Sequence, residues 1–271
     1  MNDPELYNIA NSLQKEAAVQ CLNEYAQKIN WKNIGDNAID LGCGDGSVTV
    51  ILKKFMPTNY KKLVACDISE KAVKYANEHH SDEFTVFRVL DIQDDLPEEM
   101  RGAFNHVFSF YALHWIRNQE KAFRNIYNLL TDGGDCLLTF LGYTPVYSVY
   151  SVLAQCSKWK SWLKDVNQFI SPYHDMQEPE KIVTEMMGRI GFRNIDVKCK
   201  EMHFVFNSVE AMKDTVKAIE PFDMPKEVYE EFMQDYYTVA QEIGVIEINN
   251  NNIGESSITC NYSLLVVCAS K

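Results

Sequence analysis

A parallel α/β sheet with helices on both faces is the fold this sequence predicts, and three observations predict it. Apolar runs of strand length alternate with segments of helical spacing through the first half of the chain. One run, Ala38-Ile39-Asp40-Leu41, passes directly into Gly42-Cys43-Gly44-Asp45-Gly46 and then into a periodic segment. That is the pattern of a strand, a tight turn and a helix start. Three successive runs also end in an acid: Asp40, Asp67 and Asp91.

The elements follow in order. Residues 5–30 read as helix, because Leu6, Ile9, Leu13, Ala17, Leu22 and Ala26 recur near helical spacing, with Ser12 a candidate cap for a second segment. Residues 37–41 and 63–69 form the first two strands, each followed by a helix, at 48–55 and at 70–79, the latter capped by Ser69. Residues 84–90, 106–111 and 135–141 supply three more strands, and a helix at 119–130 stops at Gly133-Gly134. Residues 192–197, 202–206 and 257–269 read as late strands, with a polar loop at 249–252. The expected domains are a core at 1–141 with an N-terminal helical segment, a helical cap at 142–190, and sheet completion at 191–271 containing a second helical insert at about 208–246. The apolar stripes of both inserts serve either as core-facing helix faces or as the roof of a pocket.

Composition excludes several classes. The net charge is −12 over 271 residues and no compact Lys/Arg cluster occurs, which argues against a nucleic-acid partner. Eight scattered cysteines without a C-x-x-C pair predict free thiols, a reduced cytoplasmic setting and no metal site. The polar start Asn2-Asp3-Pro4-Glu5 lacks the apolar stretch of a signal peptide, and no apolar run is long enough to span a bilayer. A membrane-inserted protein is not expected.

The glycine turn carries the chemistry. Its spacing is G-x-G-x-G rather than the G-x-G-x-x-G of dinucleotide sites, and Asp40 and Asp45 beside it would repel a pyrophosphate. A cation is favoured there, and the sulfonium and amino group of S-adenosylmethionine are cationic. Asp67, 21 positions beyond Gly46, stands where an acid accepts from ribose hydroxyls. Asp91 is placed to accept from an adenine amino group while Ile92 packs on the ring. Each acid alone could be a helix cap; the set is better explained as a ligand site. The cofactor set is therefore Asp40, Gly42, Gly44 and Gly46 at the methionine end, Asp67 and Ile68 at the ribose, and Asp91 and Ile92 at the adenine. Phe110 and His114, at and beyond the end of the fourth strand, join it. The D-x-G-x-G-x-G pattern resembles the first motif of class I S-adenosylmethionine-dependent methyltransferases. That resemblance implies a Rossmann-like, seven-stranded, mostly parallel sheet closed by an antiparallel hairpin.

The sequence lacks the Asn/Asp-Pro-Pro-Tyr/Phe signature of amino methyltransferases; the equivalent edge is Ser109-Phe110-Tyr111-Ala112. Of six histidines, only His114 and His174 have suggestive neighbours. A carboxylate substrate needs no base, since it is already ionised at neutral pH. It requires orientation and exclusion of water, and neutral donors hold it without over-stabilising the ground state.

Three further segments, Asn11-Ser12-Leu13-Gln14, Tyr111-Ala112-Leu113-His114-Trp115 and Phe169-Ile170-Ser171-Pro172-Tyr173-His174-Asp175, make the chain resemble insect juvenile hormone acid methyltransferases over essentially its whole length. More distantly, the Gln and Trp elements resemble plant carboxyl methyltransferases of salicylate and jasmonate. The resemblance implies a carboxyl O-methyltransferase whose Gln14 and Trp115 hold the carboxylate of farnesoic acid or juvenile hormone acid. It also makes Tyr150, Trp159, Trp162, Phe169 and Tyr173 candidates for lining the substrate pocket, and is compatible with a homodimer. Two rival readings are a methyltransferase of a small polar acid of the aconitate type and a non-catalytic protein that binds S-adenosylmethionine or a hydrophobic ligand.

Overall fold

The computed structural model describes residues 3–32, 35–222, 224–250 and 256–271. The core is a parallel sheet of β1 (Asn37–Leu41), β2 (Lys62–Asp67), β3 (Thr85–Val89), β4 (Phe104–Phe110) and β5 (Leu130–Leu141). Its central strands are buried along nearly their full length, which is why they read as unbroken apolar runs. β6 (Arg193–Phe206) and β8 (Ser256–Ser270) join antiparallel, giving the order β3-β2-β1-β4-β5-β8-β6. An eighth strand, β7 (Ile246–Asn250), pairs with β8. It absorbs Asn249 and Asn250 of the expected polar loop, whose remainder lies outside the described residues.

Helices α2 (Ser12–Tyr25) and α3 (Ser47–Lys53) cover one face through a cluster that includes Leu22, Leu52, Phe108 and Leu137. The other face is covered by α5 (Gln119–Leu129) and α7 (Pro179–Ile190), through Phe123, Ile126, Leu138 and Met187. Helix α4 (Glu70–His80) packs on β2 and β3, and Ser69 caps it by accepting the Ala72 N–H at 3.3 Å. The short α1 (Pro4–Ala10) is separated from α2 at Asn11, so Ser12 is the first helical residue rather than the cap.

Three other expectations change. Gly133-Gly134 does not end a helix: α5 stops at Leu129, and the glycines lie in the irregular start of β5, where pairing jumps from Phe104↔Leu130 to His106↔Asp135. The two strands expected at 192–206 are one. Residues 179–190 belong to the sheet face rather than to a cap, since α7 packs on the first core cluster. The cap is built instead from α6 (Pro145–Leu153), α8 (Val209–Ile219) and α9 (Lys226–Glu242), which meet in a third cluster around Tyr150, Trp159, Phe232 and Tyr236.

Candidate active site

The carboxyl ends of all five parallel strands open on a single cavity of about 600 Å³, lined by Leu41, Asp67, Asp91, Tyr111 and Leu141 among others. This volume lies within the ~300–1,000 Å³ usual for small-molecule sites. The amides of Gly42 and Cys43 donate to the Cys66 carbonyl at 2.7 and 2.9 Å, folding the glycine turn over the end of β2. Asp67 then accepts the Gly44 N–H on Oδ2 and the Ser69 N–H on Oδ1, both at 2.9 Å. A carboxylate has about four acceptor positions, so Asp67 keeps capacity for two ligand hydroxyls. Asp91 accepts the Gln93 N–H at 2.8 Å. Ile68, 64% exposed, and Ile92 flank these acids on the cavity wall.

Gly42 allows the turn to form for a steric reason. Its φ is +74°, and a Cβ there would stand 2.1 Å from the Cβ of Ala112 in the loop after β4. Gly46 serves the scaffold: a Cβ on it would press on Phe87, His80 and Ala76, and it does not line the cavity. Asp40 and Phe110 lie behind the turn, on an adjoining recess shared with Tyr7, Gln14 and Gly42. Asp40 accepts the Thr49 hydroxyl at 2.6 Å, and burial pushes its pKa up to about 7. A dry carboxyl without a cationic partner among the described residues fits a cationic ligand, so the donor and acceptor set suits S-adenosylmethionine.

Helix α1 closes the same end. Asn8 donates to Asp45 at 2.7 Å, and Asn11 donates to Ser47 at 2.8 Å. Asp45 in turn accepts the Ser47 N–H and hydroxyl at 3.1 and 2.8 Å. Asp45 is thus a latch between the turn and α1, and Tyr7 beside it lines both cavity and recess. Asp45→Ala is expected to weaken S-adenosylmethionine binding about tenfold, the scale of one charge-assisted hydrogen bond, with a smaller effect on turnover; calorimetry reads the affinity.

Gln14 and Trp115 both line the cavity. Gln14 is 6% exposed, and its Oε1 is buried without a partner among the described residues. Trp115 packs edge-on against Tyr147 at 6.3 Å and beside His114 at 5.1 Å. His114 accepts the Leu141 N–H on Nδ1 at 3.3 Å, which leaves its proton on Nε2. Burial drives its pKa down to about 3, so it stays neutral. Arg117 is the one cation on the described lining, and it donates to the Ile170 carbonyl at 3.1 Å.

Among the expected pocket aromatics only Phe169 lines the cavity. Tyr150 is 1% exposed within the cap core. Trp159 is also buried there, its indole N–H donating to Asp235 at 2.9 Å. Trp162 lies at the surface, 37% exposed. Tyr173 belongs to the sheet core, donating to Gln119 at 2.9 Å. These side chains stabilise the cap and its seat instead of facing a ligand. The sequence reading missed Tyr7, Gln93, Tyr111 and Tyr262 on the wall, and left Tyr147 and Tyr236 in insert stripes that serve either core or pocket roof. Tyr7, Asn11 and Gln14 recur at spacings of four and three, a polar stripe that could have marked the closing helices.

Residues 32–189 match the family model described as "Methyltransferase domain". The chain is 56% identical to the juvenile hormone acid O-methyltransferase of Bombyx mori, over 100% of this chain and 98% of that one. It is 39% identical to the Drosophila melanogaster enzyme of that name, over 100% and 93%. In fold it resembles the YcgJ protein of Bacillus subtilis, with a TM-score of 0.60 at 15% identity, covering 93% and 98% of the two chains. No described helix is long and apolar enough to cross a membrane. The acid-lined sheet edge and these relationships together make the chain an S-adenosylmethionine-dependent methyltransferase that belongs to the juvenile hormone acid O-methyltransferase family.

Proposed function

We propose that this protein converts the carboxylate of a long apolar isoprenoid acid, juvenile hormone acid or farnesoic acid, to its methyl ester. The observation that carries this reading is the continuity of one cavity from Asp67 and Asp91 at the sheet edge to Met212, Val216 and Ile246 beneath the cap. One end suits a polar cofactor and the other an apolar chain.

In this reading Gly42, Gly44, Asp67, Ile68, Asp91 and Ile92 hold S-adenosylmethionine, with Asp40 and the recess beside it at the methionine end. When bound, that cofactor supplies an electrophilic methyl group. Gln14 and Trp115 act as neutral donors to the substrate carboxylate and fix its angle of approach. The carboxylate is ionised at neutral pH, so no residue has to remove a proton. His114, held neutral by burial, contributes a packed wall and a fixed Nε2 proton rather than a base. The apolar cap wall excludes water, which would otherwise compete with the carboxylate for the donors.

A small polyacid would need several cations, and Arg117 is the single one on the described wall. With methyl-labelled S-adenosylmethionine, a C15 isoprenoid acid is expected to yield extractable labelled ester, and a short triacid none. The opposite ranking would overturn the proposal, and tight binding without ester would favour a binding protein.

Asp40 adds a pH signature. A cation beside a carboxyl favours its charged form, so binding should lower the Asp40 pKa from about 7 and release a proton. S-adenosylmethionine affinity is therefore expected to rise with pH from roughly 5 to 7 and to level off above that. Calorimetry across that range checks it, and Asp40→Asn should flatten the curve. The eight free thiols are consistent with work in the reducing cytoplasm, and light scattering would test the homodimer.

A further inference from the structure

β6 and β8 do not stop where the parallel strands stop. The last β5–β8 pair is Leu141↔Leu264, yet β8 stays paired with β6 as far as Phe206↔Ile258 and with β7 beyond that. Cys260, four residues past Leu264, pairs with Phe204 on one side and Ile246 on the other. At ~3.3 Å per residue this level stands about 13 Å beyond the sheet edge. The extension and the cap helices together form the deep end of the cavity.

That end is largely apolar; among the polar side chains on it, Thr215 donates to the Ala10 carbonyl at 2.9 Å, and Glu220 also lines the cavity. Tyr236, on α9, lines the cavity and is 2% exposed. Its hydroxyl makes no hydrogen bond among the described residues, and the Cys260 thiol is foremost among its titratable neighbours. The phenols of Tyr147, Tyr150 and Tyr229 nearby are buried with no hydrogen-bond partner among the described residues, so none of them pairs with the Tyr236 hydroxyl. The Glu220 carboxylate neighbours Tyr150 and Tyr229. A phenol donor facing a ligand cavity is costly to leave unpaired once a ligand displaces water from it, and a wall built to satisfy it rejects a ligand that cannot.

Resting on the carboxyl-methylation reading above, we propose that Tyr236 reads an oxygen acceptor on the substrate chain far from its carboxylate. An epoxide or ether oxygen meets this requirement; the matching polyene does not. Tyr236 is then the residue that makes the protein select an oxygenated acid over its unoxygenated relative.

The test compares kcat/KM for the epoxidised C15 acid and for the corresponding polyene acid, in the wild type and in Tyr236→Phe. Phenylalanine keeps the packing and removes only the hydroxyl. The wild type is expected to favour the epoxide by about tenfold, the scale of one neutral hydrogen bond, and the variant to bring the ratio to about one. If both esters form and the ratio does not change in Tyr236→Phe, the role of Tyr236 is overturned while carboxyl methylation stands. If the wild type makes neither ester, both fall.

Discussion

Gln14→Ala and Trp115→Ala are each expected to lower kcat by roughly a hundredfold or more, while S-adenosylmethionine affinity shifts by no more than about threefold. Misplacing a reacting group by about 1 Å typically costs ~10² in rate, and the glycine turn and the edge acids that hold the cofactor remain in place. Rapid-quench kinetics separates the chemical step from binding. Gln14 is the cleaner probe because its amide has no partner on Oε1 to lose. Trp115→Ala also removes packing against Tyr147 and His114, so Trp115→Phe should retain part of the fold support and still lose the donor. Equal turnover in all three variants would remove the carboxylate clamp from the mechanism.

Gly42→Ala should unfold the site itself. The new Cβ would meet the Ala112 Cβ at 2.1 Å, at a residue whose φ is +74°. A left-handed non-glycine residue costs ~1–2 kcal/mol and overpacking ~1–3 kcal/mol, so about 3 kcal/mol is at stake. For a chain of this length that corresponds to a Tm lower by roughly 6–12 °C, with S-adenosylmethionine binding lost or severely weakened. The partner Ala112→Gly makes room for the methyl, and in the double variant part of the stability should return. Calorimetric scanning of the three proteins reads this coupling directly.

The parts of this architecture that local sequence encodes were legible. The glycine turn needs backbone conformations that few residues other than glycine adopt, and Asp67 and Asp91 stand at the ends of apolar runs whose length alone defines the strands. The deep end of the cavity was not legible in the same way. Whether Tyr150, Trp159 or Tyr173 faces a ligand or a core depends on which helix crosses it, and all three share the helical or loop context of Phe169, which does line the cavity. Tertiary packing decides that question, and periodicity carries no trace of it. Gly133-Gly134 misled for a related reason: paired glycines serve a helix stop or an irregular strand equally well, and pairing with β4 selected the second. The extension of β6 and β8 past the edge is set by register across strands more than fifty residues apart, and it builds the wall that carries Cys260, the neighbour of Tyr236 on α9.

Juvenile hormone acid or farnesoic acid labelled with ¹⁸O in both carboxylate oxygens, incubated with the purified protein and S-adenosylmethionine, tests the central claim most directly. Direct attack by the carboxylate predicts a methyl ester that retains both labels, formed one-to-one with S-adenosylhomocysteine. An ester carrying a single label would show that the acyl carbon had been activated and attacked. No ester at all, with the cofactor bound, would contradict carboxyl methylation outright.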